Sequence, residues 1–468
     1  MSSSETQTPR ATAQPSIEEL LSTKLSITSF RVDGAQRTKA SLLQRVLQPV
    51  LSTGGHFEGV ISDVSQAVDR LAATNCFKGV DAFIDHDKHN PSAATVDFTV
   101  SEKSGVQLTT GTSIDSTCER DASLEGSLSL RNVCGVADTL RFTLAWMGGA
   151  SASRSFSENP SNAFSASYKR PFVLGLDSAV FANGSFSQLN HTEASSYNLI
   201  SRSVDSGIEC PWGTFTLASS WRNLSDVLPT ASQVIREDAK HSWKTSISHA
   251  VAVDSRDDAK MPSQGVFASL RHEHTLPFGD ARYSSVEGSV QTHVPLVSHA
   301  VLSLCARGGV QVASKRAMIA DRFFVGGGNS LRGFESRGIG PRDGKDAIGG
   351  DVFYTACAML SVALPRQSLL WQLFRARVHA FINAGDVGEM SQLVESVGGV
   401  RVRGRGAREA ADAVGRVMKE GARVAGGVGV ALDTSVGRVE INLCQTVRRC
   451  GTDAARVGVQ FGVSQSFL

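Results

Sequence analysis

The residues with the most evident chemical potential lie in one glycine-rich segment, Asp321 to Asp351, which reads DRFFVGGGNSLRGFESRGIGPRDGKDAIGGD. Glycine-rich turns beside basic side chains are typical of phosphate-binding loops, so a nucleotide site is the first hypothesis to consider. The pattern G-x-x-x-x-G-K-[ST] would end at Gly344-Lys345, but Ile339 stands in place of its first glycine and Asp346 in place of its hydroxyl. No strand-loop-helix pattern surrounds the glycines. The segment is therefore not predicted to bind a nucleotide.

No other set of side chains has the pattern of a catalytic or metal centre. Neither a nucleophile with its base nor a pair of carboxylates stands out, so no catalytic residue, enzyme activity or cofactor is predicted. The eight cysteines form no C-x-x-C pair and have no histidines at zinc-binding spacing, so no metal site is expected. We expect free thiols, with a bridge between Cys444 and Cys450 as the alternative.

Composition favours strands joined by turns. The 468 residues include Lys+Arg 47 and Asp+Glu 45, a balance that predicts no nucleic-acid partner. There are 44 glycines and 13 prolines. The longest apolar stretch, Pro295 to Ala313, is interrupted by His299, Ser303 and Arg307, and falls short of the ~20 residues that a spanning helix needs. A membrane-spanning strand needs only ~9 to 11 residues, so a membrane protein built from strands remains compatible with this composition.

The N-terminal part of the chain predicts a tail followed by a small domain. Residues 1–17 are rich in Ser, Thr, Pro and Gln and are expected to be a disordered tail, with no secretory or matrix-targeting pattern. Residues 18–104 predict an α+β domain of order β-α-α-β-β. Its evidence is the helical spacing of apolar residues from Val60 to Leu71 and their alternation from Val96 to Val100.

Residues 105–468 alternate apolar and polar side chains, as Val439-Glu440-Ile441-Asn442-Leu443 illustrates. A soluble sandwich has the same pattern, but this segment is too long for one two-sheet core. We therefore predict an all-β transmembrane barrel of 16 antiparallel strands with long connections at 313–350 and 386–422. The predicted strands are 106–116, 121–132, 136–149, 160–171, 176–188, 193–206, 208–222, 240–252, 262–274, 281–294, 297–312, 351–364, 375–385, 423–432, 436–444 and 456–467.

The glycine-rich segment resembles the signature loop of the outer-membrane β-barrel insertase superfamily, which includes bacterial BamA and the core subunit of the mitochondrial sorting and assembly machinery. The shared pattern is matched by Gly326, Gly327, Ser330, Leu331, Arg332, Gly333, Phe334, Ile339, Gly340 and Pro341. The resemblance implies that the loop joins strands eleven and twelve of the barrel, in agreement with the strand prediction, and folds into the lumen. Residues 26–104 resemble a single polypeptide-transport-associated (POTRA) domain, and the C-terminal segment is similar to mitochondrial members.

The resemblance also indicates which residues surround this loop. In bacterial members acidic groups on strands twelve and thirteen hold the loop arginine, but the matching positions here are Ser361 and Asn383. We expect Arg332 to bind Asn383 or to reach Asp386, because an unpaired buried cation is costly. Whether Arg332 handles clients or only stabilises the barrel stays open.

The last strand resembles the sorting signal of mitochondrial barrels. Val459, Gln460, Gly462 and Phe467 mark this strand as one side of a lateral gate, while Gln465 departs from the apolar pattern.

The function implied by the resemblance is insertion and folding of β-barrel precursor proteins into the mitochondrial outer membrane, through a lateral gate between the first and last strands. The implied partners are those precursors, membrane lipid and accessory subunits on the cytosolic face, with the POTRA domain in the intermembrane space. The basic connection at 386–422, with a predicted helix at 407–418, is either a solvated loop or a docking surface for such a subunit. The alternative function is a protein-translocating or solute channel of an organelle outer membrane.

Overall fold

The chain divides into two compact units. The computed structural model describes residues 24–51, 55–87, 90–114, 122–147, 161–173, 177–314, 316–390, 421–434 and 437–464. Unit 1 comprises residues 1–107, 129–140 and 170–176, and unit 2 comprises the remainder. The predicted tail at 1–17, the predicted helix at 407–418, and Gln465 and Phe467 of the last strand lie outside the described residues.

The described residues of unit 1 form a four-stranded sheet and two helices. Its elements are β1 (Lys24–Asp33), α1 (Ala40–Leu51), β2 (Gly55–His56), α2 (Phe57–Ala73), β3 (Phe77–Asp87) and β4 (Asn90–Glu102). The sheet has the order β2-β1-β4-β3, in which β1 and β4 are parallel and β3 and β4 are antiparallel. The predicted small α+β fold is confirmed, and the two-residue strand β2 is an addition to the predicted order.

The helices of unit 1 depend on the sheet for their stability. The buried face of α2 presents Val60, Val64, Ala67 and Leu71, and these side chains belong to one core with Val96, Phe98 and Val100 of β4. Full burial of a side chain of this size contributes about 1.5–3 kcal/mol. Helices of 12 and 17 residues are only marginally stable alone in water, so this packing holds them.

The other strands form one large antiparallel sheet of 16 strands. They are β5 (Val106–Ile114), β6 (Ala122–Arg131), β7 (Thr139–Met147), β8 (Ser161–Pro171), β9 (Ala179–Asn190), β10 (Asn198–Cys210), β11 (Gly213–Ser225), β12 (His241–Asp254), β13 (Gly265–Thr275), β14 (Tyr283–Val297), β15 (Ala300–Ala313), β18 (Val352–Ala363), β19 (Arg377–Gly388), β20 (Arg423–Thr434), β21 (Gly437–Arg448) and β22 (Gly458–Ser464), and the two-residue strands β16 (Arg342–Asp343) and β17 (Asp346–Ala347) pair separately. Three short helices interrupt the connections, α3 (Thr192–Ser195), α4 (Gln233–Asp238) and α5 (Leu369–Phe374).

Each of the 16 strands pairs with the next strand of the same sheet, so the sheet is a meander from β5 to β22. The pair β15 and β18 is adjacent because β16 and β17 lie outside this sheet. The 16-stranded antiparallel sheet predicted from the alternation is confirmed. Within the described residues β5 and β22 occupy the two edges of the sheet and form no ladder with each other. An edge strand presents backbone groups that can pair with a further strand.

The strand boundaries were predicted least well around β10 and β11. The prediction ended one strand at residue 206 and began the next at 208, which left Gly207 as the connection between them. In the structure Gly207 lies inside the ladder opposite Thr216, and the turn follows Cys210. Gly213 closes this turn with a φ of 121°, a backbone conformation that glycine adopts without strain.

The large sheet has an inner face, defined as the face that contacts residues 314–351, and an outer face. On β15, for example, Ser303, Cys305 and Gln311 are buried on the inner face, whereas Leu304 and Val312 are 48% and 64% exposed on the other. The outer face is therefore apolar and accessible, and the inner face is polar and covered. Among the described residues, no helix is both long and apolar enough to span a membrane.

Glu102, the last residue of β4, fastens the start of α1 in unit 1. Its carboxylate accepts hydrogen bonds from the backbone N–H groups of Arg37 and Thr38, both at 3.0 Å, and from the Thr38 hydroxyl at 2.8 Å. Thr38 also accepts a hydrogen bond from Asn132 at 2.8 Å. Burial opposes the ionisation of Glu102, but the hydrogen bonds from Thr38 and Arg37 outweigh burial and lower the pKa of the carboxyl.

We predict that Glu102→Gln increases hydrogen exchange in α1 of the intact protein roughly fivefold at pH 7, since a charge-assisted hydrogen bond is replaced by a weaker neutral one. Because the folded-state pKa is lowered, the stabilisation is fully present above the ordinary glutamate value of about 4.3 and is lost as the pH falls through the folded-state pKa. Exchange measured by mass spectrometry, corrected for intrinsic rates, should thus converge for the two proteins in acid. An equal difference at both pH values would contradict this assignment.

Candidate functional site

Residues 314–351, here called the inner loop, connect β15 and β18, the eleventh and twelfth strands of the large sheet. A 3₁₀ turn at Ile319–Asp321 begins the loop, and the hairpin of β16 and β17 lies near its end. The loop contacts the inner faces of strands far apart in the sheet. Its backbone course is therefore determined by contacts with the wall on several sides.

The start of the inner loop is anchored by Asp321. Its buried carboxylate accepts a hydrogen bond from the Arg222 guanidinium of β11 at 2.5 Å and from the Tyr283 hydroxyl of β14 at 3.2 Å. The Lys244 ammonium of β12 lies 3.6 Å away. Lys244 is paired more closely with Glu273 of β13, at 2.7 Å. Two carboxylates thus face the two cations of the wall, which makes burial of these charges tolerable.

Arg337 attaches the loop to the connection between β9 and β10. Its guanidinium donates hydrogen bonds to the Tyr197 hydroxyl and to His191 Nε2, both at 3.0 Å, and stacks on Phe324 with 3.9 Å between Cζ and the ring centroid. Burial and the neighbouring Arg337 charge lower the pKa of His191 well below its ordinary value. The imidazole is therefore neutral at physiological pH and accepts the hydrogen bond through Nε2.

The first two glycines of the loop motif, Gly326 and Gly327, form a tight turn with Ser330. Gly327 N–H donates to the Leu331 carbonyl at 3.1 Å, and Ser330 N–H donates to the Gly327 carbonyl at 3.1 Å. At Gly326 φ is +130°, and a Cβ would lie 2.2 Å from the Glu335 carbonyl oxygen. Glycine is required at this position for both its backbone angle and its size. The turn buries Leu331 completely.

Arg332 lies in a buried ionic cluster on the inner face. Its guanidinium is 2.9 Å from the Glu440 carboxylate of β21, and the Arg438 guanidinium lies 2.6 Å from the other oxygen of the same carboxylate. Arg332 and Glu440 are 2% and 0% exposed. Burial lowers the pKa of Arg332, but the Glu440 charge more than compensates and the net pKa is raised. Arg332 is therefore a permanent cation, and it also lies over the Phe381 ring at 5.0 Å.

The acidic partner of Arg332 differs from the candidates suggested by the sequence. Asn383 does contact Arg332, but its amide donates to the Arg332 backbone carbonyl at 3.1 Å. Asp386 pairs with Arg423, and the Ser361 hydroxyl donates to the Val301 carbonyl at 3.4 Å. Of the two suggested contacts, the one with Asn383 is present through the Arg332 backbone, and the carboxylate beside the guanidinium is Glu440 rather than Asp386. Glu440 was recognisable in principle, since it is a carboxylate on the polar side of an alternating strand, where burial demands a cation.

Gly333 and Phe334 connect the loop to the last two strands. The Gly333 N–H donates to Gln460 Oε1 at 2.9 Å, and Gln460 Nε2 donates to the Phe334 carbonyl at 3.1 Å. The Thr446 hydroxyl donates to the Gly333 carbonyl at 2.8 Å. A Cβ at Gly333 would lie 2.5 Å from the Ala425 Cβ. The backbone of the motif thus lies against β20, β21 and β22.

The end of the motif is paired with the connection between β21 and β22. Glu335 N–H donates to the Ala454 carbonyl at 2.9 Å, and Ala454 N–H donates to the Gly338 carbonyl at 2.8 Å. Ile339 is buried beside Val325. Gly340 has a φ of +100°, and the Pro341 carbonyl accepts from Ile348 at 3.1 Å. The end of the motif thus contacts both the β21–β22 connection and other residues of the inner loop.

The predicted gate residues of β22 are divided between the two faces. Val459 is 52% exposed on the outer face, whereas Gln460 is buried on the inner face. Gly462 pairs with Glu440 in the ladder. The side chain of Gln460 is thus the direct link between the inner loop and the edge strand, a role that the sorting-signal pattern did not predict.

The contacts described at this site are hydrogen bonds, ion pairs and apolar contacts. No group of three or more His, Cys, Asp or Glu side chains in the described part of the chain could hold a metal ion. Seven of the cysteines are described and are free thiols, which includes Cys444 and Cys450. What the arrangement can do is set the position of the sheet edge at β22 through the inner loop.

We predict that Glu440→Gln destabilises the protein by about 3–5 kcal/mol, because it leaves the buried guanidinium groups of Arg332 and Arg438 without a carboxylate. Arg332→Met should cost less, roughly 1.5–3 kcal/mol, because Glu440 remains paired with Arg438. Denaturant unfolding of the detergent-solubilised protein, followed by circular dichroism, measures both. Equal losses for the two variants would contradict the shared-carboxylate geometry.

Comparison with known proteins agrees with this architecture. A Mus musculus protein described as sorting and assembly machinery component 50 homolog is 28% identical over 96% of this chain and 92% of its own length. A SAM50-like protein from Schizosaccharomyces pombe is 25% identical over 95% of this chain and 91% of its own. BamA from Haemophilus ducreyi, in a structure lacking POTRA domains 1–3, has the same fold, with a TM-score of 0.71, 18% identity and coverage of 93% of this chain and 84% of that chain. The Omp85 superfamily domain matches residues 139–467, well over half of the chain, and the protein therefore belongs to the Omp85 superfamily.

Proposed function

We propose that this protein inserts and folds β-barrel precursor proteins into the mitochondrial outer membrane. The observation that carries the proposal is the attachment of the inner loop to an edge strand of a 16-stranded sheet, in a member of the Omp85 superfamily. The SAM50-type relatives support the same function and location, since they match nearly the full length of the chain. The reaction is catalysis of folding, with no covalent step.

The physical problem of a precursor is the backbone of its unpaired strands. Each N–H or C=O group that enters the hydrocarbon core without a partner costs several kcal/mol. An edge strand offers a row of such partners, so an incoming strand can pair with it before it leaves water. We propose that β5 and β22 are the two sides of a lateral gate that offers these edges.

One side of the proposed gate is supported from the inside. Within the described residues β22 pairs with β21 alone, so this one ladder is its strand support. The inner loop supplies additional support through the two hydrogen bonds of Gln460. In this proposal, movement of the loop would release β22, and Arg332 positions the loop through Glu440 without contacting the client.

The same geometry disfavours an open solute channel. The inner loop contacts the β9–β10 connection through Arg337 and the β21–β22 connection through Glu335. Its core residues Val325, Leu331, Phe334 and Ile339 are buried together. A loop fixed on several sides of the inner face occupies space that a wide aqueous pore would need.

The domain and partner assignments complete the proposal. Residues 18–104 would be a POTRA domain in the intermembrane space that receives precursors, and accessory subunits of the assembly machinery would bind on the cytosolic face. The descriptions of the relatives as machinery components support partner subunits in general.

Depletion of the protein in its own cells tests the function directly. We predict that newly imported mitochondrial porin then fails to reach its protease-resistant, membrane-integrated form, because no edge is available to template its strands. An outer-membrane protein with a helical anchor, imported in parallel, should assemble normally. If porin assembles normally while solute flux or the import of another protein falls, the protein is a channel instead.

Gln460→Leu tests the connection between loop and gate. It removes two hydrogen bonds between β22 and the loop backbone, which weakens their attachment by about 1–3 kcal/mol. We predict that porin assembly slows severalfold in mitochondria that carry this variant. The matched control is Gln445→Leu on β21, whose exposed side chain binds only the neighbouring Thr446 carbonyl. Equal assembly rates for Gln460→Leu and the control would remove the proposed role of Gln460.

A further inference from the structure

A row of aromatic side chains with one arginine crosses the outer face of β9 to β12. Arg202 of β10 lies opposite Phe186 of β9 and Trp221 of β11, and Trp221 lies opposite Trp243 of β12. The Arg202 Cζ atom is 5.2 Å from the Trp221 ring centroid and 5.9 Å from that of Phe186. The guanidinium is thus flanked by two π faces.

The alternation of side chains places this row on the outer face. Val204, two residues after Arg202, is 66% exposed, and Leu217 of β11 is 49% exposed. Residues at the alternate positions of these strands lie on the inner face. Ser203 is one of them, and its hydroxyl forms a hydrogen bond with the Ser185 hydroxyl at 2.7 Å. Arg202 is therefore a cation on the apolar side of the sheet, and among the described residues it forms no ion pair with a carboxylate.

Arg202 lines an open cleft with a volume of about 520 Å³. Its lining comprises Arg202, Ser203, Val204, Ser219, Trp221 and Trp243. On the outer face the lining combines one cation, the Ser219 hydroxyl and large apolar surfaces, while the Ser203 side chain lies on the inner face. A ligand that fits this combination carries a negative charge next to an apolar portion.

The cleft lies near one end of the strands. Arg202 is the fifth residue of β10, which starts at Asn198, and Trp243 is the third residue of β12. Tryptophan is enriched where a membrane barrel meets the headgroups. A lipid-facing arginine is strongly unfavourable at the bilayer centre but is tolerated at this level, where its long side chain reaches the phosphates.

We propose that this cleft binds a membrane phospholipid with an anionic headgroup. Arg202 contacts the headgroup, and Trp221 and Trp243 pack against the glycerol region and the first acyl carbons. The site rests on the proposed membrane location and goes beyond client insertion, because it lies on the outer face away from β5 and β22. It would retain one class of lipid beside strands β9 to β12.

Quenching of tryptophan fluorescence by brominated lipids tests the site in the purified full-length protein. The protein is placed in phosphatidylcholine vesicles that contain a minor fraction of brominated lipid, either phosphatidylinositol or phosphatidylcholine. Trp146, Trp212 and Trp371 are replaced by phenylalanine, so that only Trp221 and Trp243 report. Enrichment of the anionic lipid by about fivefold is expected from one basic residue at a membrane surface.

Two variants determine whether the enrichment belongs to Arg202. Arg202→Gln should abolish the preference for brominated phosphatidylinositol while general quenching persists. Arg271→Gln removes the same charge from β13, where the side chain is 57% exposed near Glu273, and should preserve the preference. Equal quenching by both lipids in the parent protein, or the same loss in both variants, would overturn the proposal. The assay requires no client, so its failure leaves the insertase proposal untouched.

Discussion

The buried carboxylate of Glu440 is the interaction on which the inner face depends. It is fully buried between the guanidinium groups of Arg332 and Arg438. Two cations around one anion cannot be separated without leaving a charge in a poorly solvated interior, which costs far more than an exposed ion pair. The inner loop is consequently held at one place on β21, and the backbone of Gly333 and Phe334 is brought to β22.

The large sheet combines this rigid interior with two strand edges. Natural sheets usually protect their edges, because unpaired backbone groups attract other strands. In the proposed function the exposed edge is used directly, because a precursor strand needs hydrogen-bond partners for its own backbone groups. The inner loop and strand β22 then have complementary roles. The loop defines where the edge stands, and in the proposal β22 pairs with an incoming strand.

The outer face has its own chemistry, independent of the gate. Its apolar side chains are compatible with lipid acyl chains. A charged side chain among them is unfavourable unless something compensates it, so each such side chain indicates a role. Arg202 between Phe186 and Trp221 is such an exception, with a cleft beside it. The two faces of one sheet thus support two separate proposals, one about protein clients and one about lipid.

Much of this protein was determined by sequence pattern alone. Alternation with period two predicted 16 strands, because side chains of a half-buried strand must alternate, and the spacing of glycines around Arg332 identified the loop motif. The errors have physical causes. Glycine is common in turns but also fits crowded ladder positions. Gly207 fell between two predicted strands, yet it lies at such a ladder position, where a Cβ would lie 2.2 Å from the Phe215 carbonyl oxygen. The Glu440 partner of Arg332 and the contact of Gln460 with the loop came only from the tertiary structure. Each joins residues more than a hundred positions apart, and the closure of such contacts depends on how the sheet curves around the loop, which no local pattern encodes.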